Sequence, residues 1–343
     1  MRTGHLKQAL GSLAKANVSV FLWGQPSSAK SSIVKQFAAE TGRKLIDLRL
    51  SQMEAVDLMG IPFLKDGRTQ WATPAWWPEE GDNAVVFLDE FNQAAQSVQA
   101  PAYQLIHDRQ VGGNYLPKDT LVIAAGNRQT DRSITQKMGT ALKNRFVHIT
   151  VEVNNDDFIA WALGDGRLHD SIVGFLRFRP ALLNELGQRG TSQEETSRIG
   201  LVMEQTAFAT PRSWEFLNKI LEARPPTELE WELFAGAVGE GVATEFTAYL
   251  KYVRELPDLD KVLLDPEKAP IPKEPATLYA VATGLGRRIT ADNFQHAITY
   301  LKRIKQKEFE VMAIRDAFRA NPGLNTLPAF VQWMRDNHRK FLA

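Results

Sequence analysis

The ten residues Trp23-Gly-Gln-Pro-Ser-Ser-Ala-Lys-Ser-Ser32 decide the fold of this chain. They follow a mainly apolar run at 18–22 and precede a segment whose apolar residues have helical spacing. A strand, a loop of small residues and Lys-Ser at a helix start typically cradle nucleotide phosphates, because backbone N–H groups and the helix N-terminus point at the anion. In such a loop, Lys30 neutralises phosphate charge and the Ser31 hydroxyl is a ligand for Mg²⁺.

The loop departs from the common pattern G-x-x-x-x-G-K-[ST] at one position. Gly24 is present, but Ala29 stands where the second glycine is expected. If this position requires a positive φ, the alanine costs about 1–2 kcal/mol. A Ser-rich turn between a strand and a helix is the alternative, so the assignment depends on the motifs that follow. The candidate phosphate-binding residues are Gly24, Gln25, Pro26, Ser27, Ser28, Ala29, Lys30, Ser31 and Ser32.

Length and composition indicate a globular protein with room for two domains. The chain has 343 residues and a net charge of +1, which gives no global bias toward nucleic acid or acidic membranes. It has no cysteine, which excludes disulfides, thiolate zinc sites and thiol nucleophiles. Neither H-E-x-x-H nor G-x-S-x-G occurs, so metalloprotease and serine-hydrolase functions have no support. Without a signal-like start or a run of about 18 apolar residues, we expect a cytoplasmic protein with no membrane span.

Strand-like and helix-like patterns alternate over about the first 150 residues, which is typical of βαβ units and a parallel sheet. After about residue 152 the patterns are helical, apart from a stretch with five prolines at 257–275 that we expect to be an extended connector or a surface loop. The predicted strands are 18–23, 45–50, 84–88, 120–125 and 146–151, and the predicted helices between them are 31–41, 94–108 and 135–144.

A second motif, residues 85–90, is an apolar strand that ends in two carboxylates. In a parallel sheet, ligands gather at the carboxyl ends of the strands near a change in strand order. There Asp89 is predicted to hold Mg²⁺, directly or through water, and Glu90 to polarise the water that attacks the γ-phosphate. For this motif alone, a strand that ends in acidic surface residues is the alternative.

Three later residues complete the candidate site. Asn127 ends an apolar segment and is predicted to orient the attacking water or contact the γ-phosphate, with a turn-forming asparagine as the alternative. Arg145 lies where a helix leads into a strand and is predicted to reach a neighbouring subunit's γ-phosphate; an ordinary cation at a helix C-terminus is the alternative. Arg212 follows a Thr-Pro pair at a helix start, where a cation invites an anion such as phosphate; a solvent-facing arginine is the alternative.

The order of these five motifs resembles the AAA+ ATPases, and among them the MoxR family, over about residues 5–223. Ala29 departs from the usual glycine of that family's first motif. The matched residues are Walker A at 24–31, Walker B at Asp89-Glu90, sensor 1 at Asn127, the arginine finger at Arg145 and sensor 2 at Arg212.

The resemblance implies an α/β AAA+ P-loop core with a parallel sheet at 1–151, an all-α lid at 152–224 and a C-terminal helical region at 225–343. It implies ATP and Mg²⁺ as cofactors and an assembly of head-to-tail subunits, with a hexameric ring as the family's form. It also implies an ATPase that remodels or activates a client protein, with a von Willebrand factor A-domain protein as the first candidate partner.

Two smaller features lie outside the nucleotide motifs. An insert at 53–78 contains an Asp66-Gly67 hairpin signal and three tryptophans within residues 71–77. The tryptophans are predicted to pack beneath the hairpin as a small core, with a partner-gripping loop as the alternative. A second hairpin is predicted at 109–117, and the family resemblance turns it toward the ring pore, whereas a plain surface hairpin is the alternative.

Two other functions are compatible with the sequence. Ala29 leaves open a nucleotide-gated scaffold that hydrolyses little ATP. A DNA-remodelling AAA+ motor is the other alternative, but the balanced charge argues against it, so nucleic acid is not an expected partner.

Overall fold

The computed structural model describes residues 1–128, 144–164, 168–186, 202 and 204–342. The chain divides into two compact units, 1–154 and 155–343. Within the described ranges, no helix is long and apolar enough to cross a lipid bilayer. The predicted helix at 135–144 lies outside the described residues except for its last position, so it stays a prediction.

The first unit is built on a parallel sheet. Its strands are β1 (Val20–Trp23), β2 (Leu45–Arg49), β3 (Ile61–Lys65), β4 (Arg68–Ala72), β5 (Val85–Asp89), β6 (Gln110–Val111), β7 (Asn114–Tyr115), β8 (Leu121–Gly126) and β9 (Val147–Thr150). Among the described residues, five of these form one parallel sheet in the order β2-β5-β8-β1-β9, while β3-β4 and β6-β7 are antiparallel hairpins. All five sheet strands coincide with predicted ones, and the predicted α/β fold with a parallel sheet is confirmed.

Successive side chains of a strand point to opposite faces of the sheet, and here both faces are covered by helices. The helices of this unit are α1 (Thr3–Ala16), α2 (Lys30–Glu40), α3 (Ala55–Met59) and α4 (Gln96–His107). Val85 and Phe87 lie in the cluster that includes α1 and α2, whereas Val86 and Leu88 lie in the cluster that includes α3 and α4. Strand β8 and the first four residues of β5 are therefore apolar and buried, as expected for parallel strands covered on both faces.

The strand order changes at β1. The chain leaves β1 for the far edge of the sheet at β2, and later strands return to its two sides as β8 and β9. The loop after β1 therefore opens at the switch point, where open α/β sheets bind ligands.

The insert and the second hairpin pack together within this unit. Asp66 and Gly67 both have positive φ, 52° and 71°, as a type I′ turn between β3 and β4 requires. Asn114 of the second hairpin donates a hydrogen bond of 3.2 Å from Nδ2 to the carbonyl of Trp71. Trp76 and Trp77 pack against the main core cluster of α3 and α4, whereas the sequence predicted a small core beneath the hairpin.

The second unit is helical in its described part. Its helices are α5 (Asn155–Leu163), α6 (Asp170–Phe178), α7 (Pro211–Glu222), α8 (Glu230–Val238), α9 (Glu240–Arg254), α10 (Leu259–Leu264), α11 (Pro275–Arg288), α12 (Phe294–Arg303), α13 (Lys307–Ala320) and α14 (Pro328–Leu342). Helix α11 packs against both α6 and α13. A buried ion pair joins those two partners, since Arg177 of α6 donates two hydrogen bonds of 2.6 and 2.7 Å to Asp316 of α13.

One segment of the second unit differs from the sequence prediction. The expected connector at 257–275 contains helix α10, which fits between Pro257 and Pro266 and therefore has no proline inside it. Asp258 caps this helix by accepting a hydrogen bond from the backbone N–H of Asp260.

Candidate nucleotide-binding site

The loop after β1 has the backbone of a phosphate cradle. It runs from Gly24 to Ala29, and α2 begins at Lys30. Ala29 is in the left-handed region, with φ 63° and ψ 15°, so the position does require the positive φ that a glycine adopts without strain. Gly24 is needed for space, because a Cβ there would lie 2.6 Å from the Ser28 hydroxyl. The chain thus keeps the loop geometry at a steric cost of about 1 kcal/mol at Ala29.

Lys30 lies inside this loop and is 8% exposed. Its ammonium group donates to the carbonyl oxygens of Gly24 and Gln25, at 2.8 and 2.9 Å. It also donates to the Asn127 side-chain oxygen at 3.1 Å and lies 3.4 Å from the Ser28 hydroxyl. These acceptors are neutral oxygens, so an anion that enters the loop competes for the ammonium with a stronger, charge-assisted bond.

Ser31 and Asp89 bring the first and second motifs together. The Ser31 hydroxyl donates a hydrogen bond of 2.6 Å to Asp89 Oδ2, although the two residues are 58 positions apart. Asp89 is the last residue of β5, and its Oδ1 accepts a bond of 2.9 Å from the backbone N–H of Glu90. A hydroxyl and a carboxylate of this kind are hard oxygen donors, the type that Mg²⁺ prefers.

Glu90 turns the chain sharply at the end of β5. It has φ 55° and ψ 33°, a left-handed conformation that is uncommon for glutamate, and a short 3₁₀ helix, Phe91–Gln93, follows it. The Ser51 hydroxyl, which follows β2 at the same edge of the sheet, donates a hydrogen bond to the Glu90 carboxylate. Glu90 therefore lies in the cluster at the carboxyl ends of the strands, with its carboxylate held by a neighbouring hydroxyl.

Asn127 lies directly after β8 and joins the cluster through two sets of contacts. Its side-chain oxygen accepts from Lys30, as described above. Its backbone is bonded on both sides by the Asn92 side chain, which donates to the Asn127 carbonyl at 2.6 Å and accepts from its N–H at 3.2 Å. The three motifs that end β1, β5 and β8 thus form one continuous hydrogen-bonded cluster.

The two remaining predicted site residues are the arginines Arg145 and Arg212. Arg145 is exposed just before the buried Phe146, whose ring packs against Phe21 and Phe91 beside β1. Arg212 belongs to the second unit and is exposed at the second position of α7. Burial raises the pKa of Glu215 one turn further along α7, and the charge of Arg212 opposes that rise. The roles of both arginines stay predictions.

Sequence reasoning missed two residues of this cluster, Ser51 and Asn92. Both could have been found by one criterion, because each follows a strand at the edge of the sheet where Asp89 and Asn127 lie. The contact of Asn92, however, depends on the left-handed turn at Glu90, and nothing in the sequence marks a glutamate for that conformation.

Residues 19–146 match the family model of the AAA domain of the dynein-related subfamily. This match identifies residues 19–146 as an AAA domain. Part of it is similar to midasin from Giardia intestinalis, with 25% identity over 156 residues, or 43% of this chain and 3% of midasin. Another match is protein NorQ from Paracoccus denitrificans (strain Pd 1222), with 29% identity over 99 residues, or 29% of this chain and 37% of NorQ. These matches confirm the resemblance to MoxR-type AAA+ proteins.

The chain thus spans only 3% of midasin and 37% of NorQ. Among solved structures, the RuvB Holliday junction branch migration motor of Thermotoga maritima is similar, with 15% identity, a TM-score of 0.37 and coverage of 88% of this chain and 85% of that chain. The strand order β2-β5-β8-β1-β9 and the match of residues 19–146 to the family model support the AAA fold.

Proposed function

We propose that this AAA+ protein binds ATP with Mg²⁺ at the cluster after β1, β5 and β8 and hydrolyses it. The observation that carries the proposal is the pair of contacts made by consecutive residues of α2: Lys30 with Asn127, and Ser31 with Asp89. They put an ammonium, a hydroxyl, a carboxylate and an amide at the switch point of the sheet. These are the groups that a nucleotide triphosphate and its metal ion require.

The residues present fit a magnesium ion. Ser31 and Asp89 offer hydroxyl and carboxylate oxygens that already lie within one hydrogen bond of each other. These two residues would hold the ion, which when bound neutralises charge on the phosphate oxygens.

The chain's own residues bind the phosphates and activate the attacking water. Lys30 exchanges the carbonyls of Gly24 and Gln25 for phosphate oxygens and neutralises charge there. Glu90 accepts a proton from the attacking water, and Asn127 orients that water or contacts the γ-phosphate. The backbone N–H groups at the start of α2 point at the phosphates, aided by the helix dipole.

Two arginines are proposed to add positive charge at the γ-phosphate. Arg145 is proposed to act on the nucleotide of a neighbouring subunit, where such an arginine raises the rate by about 10³–10⁵. Arg212 is proposed to contact the phosphates of its own chain. Its position in the first turn of α7, where a cation opposes the helix dipole, supports an anionic partner.

An arginine delivered in trans requires head-to-tail contacts, and head-to-tail contacts that close form a ring. We propose a homo-oligomeric ring, with six subunits as the family form, that remodels or activates a client protein. The resemblance to MoxR-type proteins makes a von Willebrand factor A-domain protein the first partner to test, and the cytoplasm is the proposed location.

Titration calorimetry with ATP and Mg²⁺ tests the binding step. Lys30→Ala should weaken ATP binding by at least 100-fold, because the buried ammonium is lost from the loop. Lys35→Ala is the matched control, since Lys35 is on the same helix but exposed and paired with Asp47 at 3.3 Å. Equal ATP affinity in both variants would contradict the proposed site.

A further inference from the structure

Asn92 occupies an unusual place beside the proposed site. It is the middle residue of the 3₁₀ helix Phe91–Gln93 and is only 3% exposed. Its side chain bonds both polar groups of the Asn127 backbone, through Nδ2 to the carbonyl oxygen and through Oδ1 to the N–H. The side-chain amide of Asn92 thus makes the two hydrogen bonds to the Asn127 backbone that a neighbouring strand would otherwise make.

The approach of Asn92 depends on the residue before Asn127. A Cβ on Gly126 would overlap with Oδ1 of Asn92, so the glycine leaves the space in which the amide lies against the end of β8. The approach also depends on Glu90, whose left-handed conformation turns the chain from the end of β5 back toward β8. One side chain therefore links the turn that carries Glu90 to the backbone that carries Asn127.

The link continues to the phosphate loop. With its backbone held on both sides, Asn127 presents its side-chain oxygen to Lys30 at 3.1 Å. A free strand end would let this amide rotate away from the loop, since a residue just past a strand has no ladder partner beyond it.

We propose that Asn92 is a positioning residue for ATP hydrolysis, which it serves by fixing the backbone of Asn127 so that the Asn127 amide faces the phosphate loop. This inference rests on the proposed function. Asn92 acts through Asn127 rather than on the nucleotide, so its loss should affect the chemical step more than the binding of ATP.

The experiment compares Asn92→Ala, Asn127→Ala and the double variant in steady-state ATPase assays. Each single variant should lower kcat at least 10-fold with KM within about 3-fold of the wild type, and the double variant should be no slower than the slower single variant. Independent effects would multiply, so a double variant slower by the product of the two single effects would overturn the proposal.

Gln99→Ala is the matched control for a loss of stability. Gln99 is also a buried amide; it donates a bond of 2.9 Å to the Ala94 carbonyl and accepts one of 2.9 Å from the Tyr103 hydroxyl. Its variant should lower the melting temperature and leave kcat unchanged. If kcat falls equally in Gln99→Ala and Asn92→Ala, the role of Asn92 is structural only and the proposal fails.

Hydrogen exchange at the Asn127 amide separates this inference from the proposed function. Exchange should be at least 10-fold faster in Asn92→Ala than in the wild type and unchanged in Gln99→Ala, whether or not the chain hydrolyses ATP. A wild type that hydrolyses no ATP would refute the proposed function, whereas unchanged exchange in Asn92→Ala would refute the positioning role of Asn92.

Discussion

The Ser31 hydroxyl and the Asp89 carboxylate are joined by a hydrogen bond of 2.6 Å, across 58 residues of chain. The contact forms because α2 begins directly after the loop that follows β1, while Asp89 ends β5 at the same edge of the sheet. It identifies the place where a metal ion would enter between the two oxygens.

Replacing Asp89 should remove the metal dependence of nucleotide binding. The quantity to compare is the ratio of the ATP affinity with Mg²⁺ to the ATP affinity without it. In Asp89→Asn we expect this ratio to be at least 10-fold smaller than in the wild type, because a neutral amide is a poorer ligand for a hard cation. Asp47→Asn, on the neighbouring strand β2, should keep the full gain. Calorimetry with and without Mg²⁺ measures both, and an unchanged gain in Asp89→Asn would contradict the assignment.

Replacing Glu90 should separate binding from hydrolysis. Glu90→Gln keeps the size of the side chain but cannot accept the proton, so kcat should fall at least 100-fold while ATP affinity stays within about 3-fold. Glu80→Gln is the control, because Glu80 is exposed and lies just after the insert. Normal turnover by Glu90→Gln would refute its role as the base, and negligible turnover by the wild type would favour the scaffold alternative.

Because Ala29 is in the left-handed conformation, replacing it by glycine should change the free energy of unfolding in the opposite direction to the same substitution at Ala39. Ala29→Gly should raise the free energy of unfolding by up to about 1 kcal/mol, because glycine adopts φ 63° without strain. Ala39→Gly, at an exposed position inside α2, should lower it by about 1 kcal/mol. Urea unfolding of both variants checks the pair; a loss of stability in Ala29→Gly would show that the loop is not strained there.

Much of the first unit could be predicted from sequence because its strands are apolar and bounded by turn residues. The positive φ at Ala29 was also foreseeable, since the loop pattern requires it. The Asn92 contact was not, because it needs a left-handed glutamate that no residue type signals. In the second unit, where the sequence predicted helical patterns, helix α8 ends and α9 begins at Gly239, whose φ is 88°. The sequence did not predict this break, because the apolar residues on both sides of it have helical spacing.

The buried pair Arg177–Asp316 should contribute far more than a surface pair. Asp316 is 2% exposed, so Arg177→Ala leaves a buried carboxylate without its partner and should lower the free energy of unfolding by about 3–5 kcal/mol. Arg179→Ala breaks a half-exposed pair with Glu245 and should cost about 1 kcal/mol or less. Similar losses in urea unfolding of the two variants would contradict this difference.

Arg145 should act on a neighbouring subunit. Arg145→Ala should keep ATP affinity and lose most hydrolysis, and mixtures with Glu90→Gln should recover activity at intermediate ratios, because some interfaces then combine an intact Glu90 with an intact Arg145. Wild-type kcat in Arg145→Ala alone would exclude the role of this arginine.

A crystal structure with Mg²⁺ and a non-hydrolysable ATP analogue tests the central claim most directly. We expect the ammonium of Lys30 on the β- and γ-phosphates instead of the Gly24 and Gln25 carbonyls, and Mg²⁺ at about 2.1 Å from the Ser31 hydroxyl with Asp89 as a direct or water-mediated ligand. A triphosphate bound away from this loop, with Lys30 still on those carbonyls, would contradict the account.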